Sequence, residues 1–250
     1  MTKWVRLLLA ALTMTLSLQP SWAEQEQEKE KRMLCQSPDK KHSAYVSGEN
    51  IVITDNQVKK SAELTLKDPL VAGTSSIEEF KWIDNKRLAM SCHINPSLCS
   101  YTIFDVNGRT LNSYLGYNFY WSHDNKILAH NGQLIHFSEW PHSEYIEFND
   151  RTVYPLSGPA YGKAAKVVHT FSPPFVWCKD DSKLALIDNV SHGKREVANL
   201  VLISRAGKVK TFKLPGSLAS DNEIKLTWQN NSKISVQAGK NTQSLTFSAK

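Results

Sequence analysis

The chain has 250 residues, of which 41% are hydrophobic and 22% charged, and a formal net charge of +6. These are ordinary values for a globular protein; they exclude disorder through the body of the chain, and the length suits one closed β fold or two small domains. The modest positive charge gives only a weak pull toward anionic partners.

Lys3 and Arg6 precede an uncharged apolar run, Leu7 to Leu18, and Ser21-Trp22-Ala23 puts small residues where a signal peptidase needs them. Residues 1–23 are therefore expected to be a secretory signal, with Glu24 as the first mature residue and a remaining charge of +4. The apolar run falls short of the roughly 20 residues of a spanning helix. No cysteine follows directly to carry a lipid, and no later segment reads as a membrane span. The expected location is the bacterial periplasm, with release from the cell as the alternative. Residues 24–33, a run of Glu, Gln and Lys, read as a charged leader, and 34–250 as the folded domain.

From there the chain repeats a unit: an aromatic residue, a polar turn of about four residues, Lys or Arg, then a short apolar strand. The copies are Gln36 to Val46, where glutamine replaces the aromatic, then Trp82 to Ala89, Trp121 to Ala129, Trp177 to Leu186 and Trp228 to Val236. Tryptophan buries a large ring between layers, and Asp and Asn bond their own backbone in turns. A second strand follows several units, as in Asn50–Asp55, Ser100–Asp105 and Asn199–Ser204. Asn107-Gly108 and Ala206-Gly207 then turn the chain into Arg109–Tyr114 and Val209–Lys213. The anchors at 36, 82, 121, 177 and 228 are 46, 39, 56 and 51 residues apart, close to the about 40–50 residues of a propeller blade. The expected fold is all-β, a β-propeller of about five four-stranded antiparallel blades; another β-sandwich or barrel is the alternative. The Pro-, Gly- and Ala-rich stretch Asp150 to Pro174 reads as a long excursion on one face.

Four cysteines follow the expected signal. Cys92 and Cys99 enclose a hairpin-tip length and are expected to form a disulfide, as exported proteins often do. Cys35 and Cys178 are left as a second possible pair. The Cys-x6-Cys spacing, with no second close pair, argues against zinc on the cysteines, and no metal or cofactor is expected.

Ser37-Pro38-Asp39 and Trp121-Ser122-His123-Asp124 resemble the Trp-Ser-Pro-Asp-Gly repeat of TolB-type, WD40-like β-propellers. The resemblance covers most of 34–248, but no copy has the full motif and the glycine is always replaced. Neither an α/β domain before the units nor a hydrolase domain beside them is expected from this sequence. It implies a binding module more readily than an enzyme.

There is no Gly-x-Ser-x-Gly elbow, phosphate-binding glycine loop or His-Glu-x-x-His helix. His130 and His136, around Asn131-Gly132, are candidate binding residues among the group His123, His130, His136 and His142. Tyr117, Phe119 and Trp121 alternate and are expected to share one packed strand face. Trp140, Tyr154 and Tyr161, in less regular sequence, are better candidates for contact with a ligand. Basic stretches such as Lys59-Lys60 and Lys194-Arg195 read as solvated faces, and export argues against nucleic acid. The expected function is non-catalytic: recognition of a protein or an envelope glycan through loops at one end of the blades. The alternative is a carbohydrate-active hydrolase or lyase with its site in the propeller channel.

Overall fold

The structure, a computed structural model, describes residues 31–48, 50–65, 77–95, 98–133, 143–155, 167–215, 224–238 and 243–248. The regular structure in them is entirely β, so among them no helix is long and apolar enough to cross a membrane.

β1 (Lys31–Gln36), β2 (His42–Ser47), β3 (Asn50–Asp55) and β4 (Lys60–Thr65) form a first sheet; β1 starts inside the stretch read as leader. β5 (Ile77–Trp82), β6 (Arg87–Asn95), β7 (Leu98–Asp105), β8 (Thr110–Trp121), β9 (Leu128–Gln133), β10 (Glu144–Phe148) and β11 (Arg151–Tyr154) are hydrogen-bonded in chain order. β12 (Val168–Trp177), β13 (Lys183–His192), β14 (Arg195–Ser204) and β15 (Val209–Lys213) form the next sheet. β16 (Ile224–Asn230), β17 (Lys233–Ala238) and β18 (Gln243–Ser248) form the last. Within each sheet the strands pair antiparallel in chain order, and no sheet among the described residues closes on itself.

β8 serves two ladders. Thr110 to Gly116 pairs with β7, and Tyr117 to Trp121 pairs with β9. The turns that enter and leave it lie at the same end of the sheets, because Asn125 Nδ2 donates to the Ile83 carbonyl at 2.9 Å and Arg87 Nη2 donates to the Asn125 carbonyl at 2.6 Å. The strand must therefore bend back within its own length. Gly116, at φ +153°, and Asn118, at φ +56°, make that elbow. A Cβ on Gly116 would stand 2.0 Å from the Asn131 carbonyl oxygen, so only glycine fits.

Four apolar cores alternate with the layers. Ile51, Ile53, Trp82 and Met90 pack between β1–β4 and β5–β8; Ile83, Tyr101, Ile103 and Leu128 lie beyond β5–β8. Ile146, Phe171, Trp177 and Leu186 join β8–β11 to β12–β15, and Ile187, Leu200, Leu226 and Val236 join β12–β15 to β16–β18. Because side chains alternate along a strand, Leu184 and Leu186 serve one core while Ala185 and Ile187 serve the next. That is why this stretch reads as a continuous apolar run. Three of the repeat tryptophans, though not Trp82, tie a layer to the one before. Trp121 Nε1 donates to the Tyr101 hydroxyl at 2.9 Å, Trp177 Nε1 to the Tyr120 carbonyl at 3.3 Å, and Trp228 Nε1 to the Val176 carbonyl at 2.8 Å.

Three of the repeat turns have the same construction. Ser37, Ser122 and Cys178 each hydrogen-bond the aspartate two residues on, Ser37 Oγ to Asp39 at 2.8 Å, Ser122 Oγ to Asp124 at 2.7 Å and Cys178 Sγ to Asp180 at 3.0 Å. Each also accepts the backbone N–H five residues on, at 3.0, 3.0 and 3.1 Å. The Ser122 hydroxyl first and Arg205 next hold Asp124 down to about 2; Cys178 and Ser182 hold Asp180 there. The next residue, where the TolB-type motif has glycine, is left-handed in all three: Lys40 at φ 60°, Asn125 at 56° and Asp181 at 56°. The backbone at all three favours glycine, which none of them carries.

Cys178 is thus the sulfur counterpart of a turn serine, and the possible pairing with Cys35 does not occur. Cys35 lies in β1 against the core between the first two ladders, far along the stack from Cys178. The expected Cys92–Cys99 disulfide is absent too. The register sets Cys92 opposite Ser100 and His93 opposite Cys99. Residues paired across strands share a face, so the two cysteines point to opposite sides of the sheet; Cys92 is fully buried in the core beneath it.

The stretch expected as an excursion, Asp150 to Pro174, contains β11 and the first half of β12. Pro173-Pro174 coincides with a register shift in the β12–β13 ladder between Ser172 and Val176. β12 is an edge strand with β13 on one side only, which is where a strand tolerates proline.

Candidate functional site

The two ends of the strands differ. At the turn end, connections run two to six residues; the strand ends joined by the connections of ten or more, β4–β5, β9–β10, β11–β12 and β15–β16, all lie at the far end. A buried polar cluster sits at that far end, between β8–β11 and β12–β15.

The cluster is centred on Asp188, which ends the apolar run Leu184 to Ile187 and is fully buried. Phe171 is its partner across the ladder, so Asp188 faces β8–β11. Its Oδ2 accepts the Tyr154 hydroxyl at 2.7 Å and lies 2.8 Å from His169 Nδ1. Its Oδ1 is buried with no partner among the described residues, an arrangement that is costly unless another group completes it. Across the interface, Glu144 Oε2 accepts Asn131 Nδ2 at 3.0 Å and the Phe171 backbone N–H at 2.8 Å. Burial, with the negative charge of Asp188 behind it, keeps the Glu144 carboxyl above its ordinary value. Burial and Asp188 likewise push the Tyr154 hydroxyl up.

His169 and Tyr154 are the parts of the cluster that reach solvent, the His169 side chain being 17% exposed. With Nδ1 held by the carboxylate, Nε2 is the nitrogen left to meet a ligand. Ser143 lies beside it, but its hydroxyl accepts the His169 backbone N–H at 3.1 Å. An activated serine would hold its hydroxyl on the imidazole; no such side-chain bond is seen here among the described residues. The cluster can therefore grip a polar group between an anchored imidazole and a phenol.

Of the residues singled out from sequence, Tyr154 belongs to this cluster. His130 lies elsewhere, 1% exposed, with its ring 5.4 Å from both Phe119 and Tyr114 and its Nε2 3.1 Å from the Asn149 carbonyl. Burial holds its pKa below the ordinary value. His136, Trp140, Tyr161 and His142 lie outside the described residues. Tyr117, Phe119 and Trp121 do not act as one face, because the β8–β9 ladder shifts register between Tyr117 and Tyr120. Tyr117 turns to Glu144, Phe119 stacks on Tyr101, and Trp121 bonds the Tyr101 hydroxyl.

Sequence reasoning missed His169, Asp188 and Glu144. The one legible signal was Asp188 itself, a carboxylate closing an apolar run that is buried on both faces. A separate cavity of about 510 Å³ lies where β5 meets the second half of β8; it is lined by Glu79, Lys81, Asn118 and Tyr120 among others, and by no histidine.

A scan of the sequence against protein-family models finds no match, and neither does a search of curated proteins. Solved structures do resemble the fold. A eukaryotic initiation factor superposes with a TM-score of 0.50 at 13% identity, over 87% of this chain and 51% of that one. A mitotic checkpoint complex chain gives 0.40 at 14% identity, over 87% and 62%. An oligogalacturonate lyase in complex with manganese gives 0.42 at 13% identity, over 86% and 61%. The chain thus spans between half and about three fifths of these structures. At such identities the likeness concerns fold alone, and the fold is that of a propeller-like all-β protein.

Proposed function

We propose that this chain is an exported, non-catalytic binding protein of the TolB-like propeller kind, and that it recognises a protein or envelope-glycan partner with the far end of its strands. In this reading the five ladders β1–β4, β5–β8, β8–β11, β12–β15 and β16–β18 are five blades, with β8 bent so that it closes one and opens the next. The observation that carries it is the contrast between the ends. The turns of one end are bonded to each other and short, whereas the His169–Asp188–Tyr154–Glu144 cluster and every long connection belong to the other. Recognition is commonly placed on long connections held by a rigid scaffold.

The test is capture from a bacterial envelope extract by the immobilised full chain, compared with its His169→Ala and Tyr154→Phe variants. A stoichiometric partner held by the wild type and lost by both variants supports the proposal. Repeated trials with no stoichiometric partner overturn it.

One observation favours the enzymatic alternative, a hydrolase or lyase acting on an envelope carbohydrate: a histidine oriented by a buried carboxylate is a common general-base arrangement. Turnover of polysaccharide by the wild type and not by His169→Ala would replace the binding reading.

A further inference from the structure

The far end of the β5–β8 ladder brings together three side chains that the sequence separates. Glu78 is the extra residue of a β-bulge: the β5–β6 ladder passes from Ile77 opposite Cys92 to Glu79 opposite Ser91. Bulges re-aim a side chain out of the regular alternation. His93 and Cys99 are direct cross-strand partners on β6 and β7, next to a second register shift between His93 and Asn95. The outcome is a compact triangle. Cys99 Sγ lies 3.4 Å from Glu78 Oε2 and 3.9 Å from His93 Nδ1, and His93 Nδ1 lies 3.2 Å from Glu78 Oε1. One ligand atom from each residue lies within 4.8 Å of the other two.

We propose that Glu78, His93 and Cys99 form a binding site for a divalent metal ion, with zinc as the ion their chemistry selects. Metal–ligand bonds of about 2.0–2.3 Å at tetrahedral angles put neighbouring ligand atoms roughly 3.3–3.6 Å apart. The observed separations run from 3.2 to 3.9 Å, and the Glu78 carboxylate has only to turn so that one of its oxygens faces both neighbours. Thiolate and imidazole favour zinc over calcium or magnesium, which take all-oxygen shells. The Glu78 and His93 side chains are 51% and 44% exposed, which leaves an entry path from solvent. Three protein ligands leave a fourth position for water or for a donor from a bound partner. On binding, the Cys99 S–H bond is exchanged for a sulfur–metal bond and the proton passes to solvent. The Cys-x6-Cys spacing could not signal this site, because only one of those cysteines takes part and the carboxylate comes from another strand.

The probe is Co²⁺, added to the reduced, chelator-treated full chain. The wild type is expected to bind one ion per chain with a thiolate-to-cobalt charge-transfer band and the intense visible bands of tetrahedral coordination, all displaced by Zn²⁺. Cys99→Ser should lose the charge-transfer band. His93→Ala and Glu78→Ala should each weaken binding by at least the roughly tenfold that losing a mere outer-sphere partner brings, and Cys178→Ser should bind as the wild type does. Absence of the band in the wild type overturns the proposal whatever the variants do. So does a band of undiminished strength in Cys99→Ser, or wild-type affinity in both His93→Ala and Glu78→Ala.

Discussion

Asp181 reaches from the turn after β12 to His123 in the turn after β8, where its Oδ1 accepts the His123 backbone N–H at 2.9 Å and lies 2.7 Å from the ring Nδ1. Its second oxygen accepts the Asp124 N–H at 2.8 Å. Similar bonds run along the whole turn end: the Asp39 N–H to Asn85 Oδ1, Asn125 Nδ2 to the Ile83 carbonyl, and Lys183 Nζ to the Asn231 carbonyl. Successive layers are thereby stitched together at one end. Asp181 is 4% exposed, and its loss would leave the His123 and Asp124 backbone N–H groups without their partner. Asp181→Ala should lower unfolding free energy by about 2 kcal/mol, measured by urea denaturation.

The left-handed turn positions separate backbone preference from side-chain bonding. Lys40 is exposed, and no hydrogen bond of its side chain is seen among the described residues. Lys40→Gly removes the left-handed penalty and should raise stability by about 0.5 kcal/mol after the extra freedom of an unfolded glycine is subtracted. Asn125→Gly relieves the same strain but deletes the bond to Ile83, and should come out destabilising. Thermal unfolding of the two variants side by side checks the opposite signs.

Cys178→Ser restores the hydroxyl that the other two turns use and should leave stability nearly unchanged. Cys178→Ala, which leaves Asp180 and the Lys183 N–H without their partner, should cost about 1 kcal/mol. Because no disulfide joins Cys35 to Cys178 or Cys92 to Cys99, the melting temperature should be the same with and without reductant.

At the elbow of β8, Gly116→Ala sets a methyl group against the Asn131 carbonyl and should cost about 3 kcal/mol, the upper end of overpacking penalties. A loss below about 1 kcal/mol, within ordinary overpacking relief, would mean that the bend is made elsewhere.

His130 should make stability depend on pH. Burial lowers its folded pKa below the ordinary 6.5. Between those two values the unfolded chain binds a proton that the folded chain does not. Stability therefore falls as pH drops below 6.5, by at most about 1.4 kcal/mol per pH unit, until the folded value is reached. His130→Phe should remove that slope. Denaturant midpoints at pH 7.5 and 5.5 for the two proteins decide the matter.

Much of the architecture was legible along the chain because strands and turns are local. Asn50–Asp55 and Val209–Lys213 have the limits their alternation implied, and the Ser-x-Asp turns bond as their chemistry requires. The tryptophans recur where one layer must be filled against the next. What remained hidden was whatever depends on which distant strands stack together. Cys178 read equally well as half of a disulfide or as a turn residue until its neighbours were known. Glu78, one of two adjacent glutamates at the start of a strand, becomes a candidate ligand only because a bulge turns it toward His93 and Cys99. Asp188 meets His169 and Tyr154 only because Phe171 fixes the register of β12 on β13 and the β8–β11 layer closes over both. The amino-acid sequence by itself determined the repeating hairpin, since period, turn residues and buried rings act within a few residues of one another. The tertiary structure alone decided where chemistry could gather, since burial and the approach of charged side chains are set by the stacking of layers tens of residues apart.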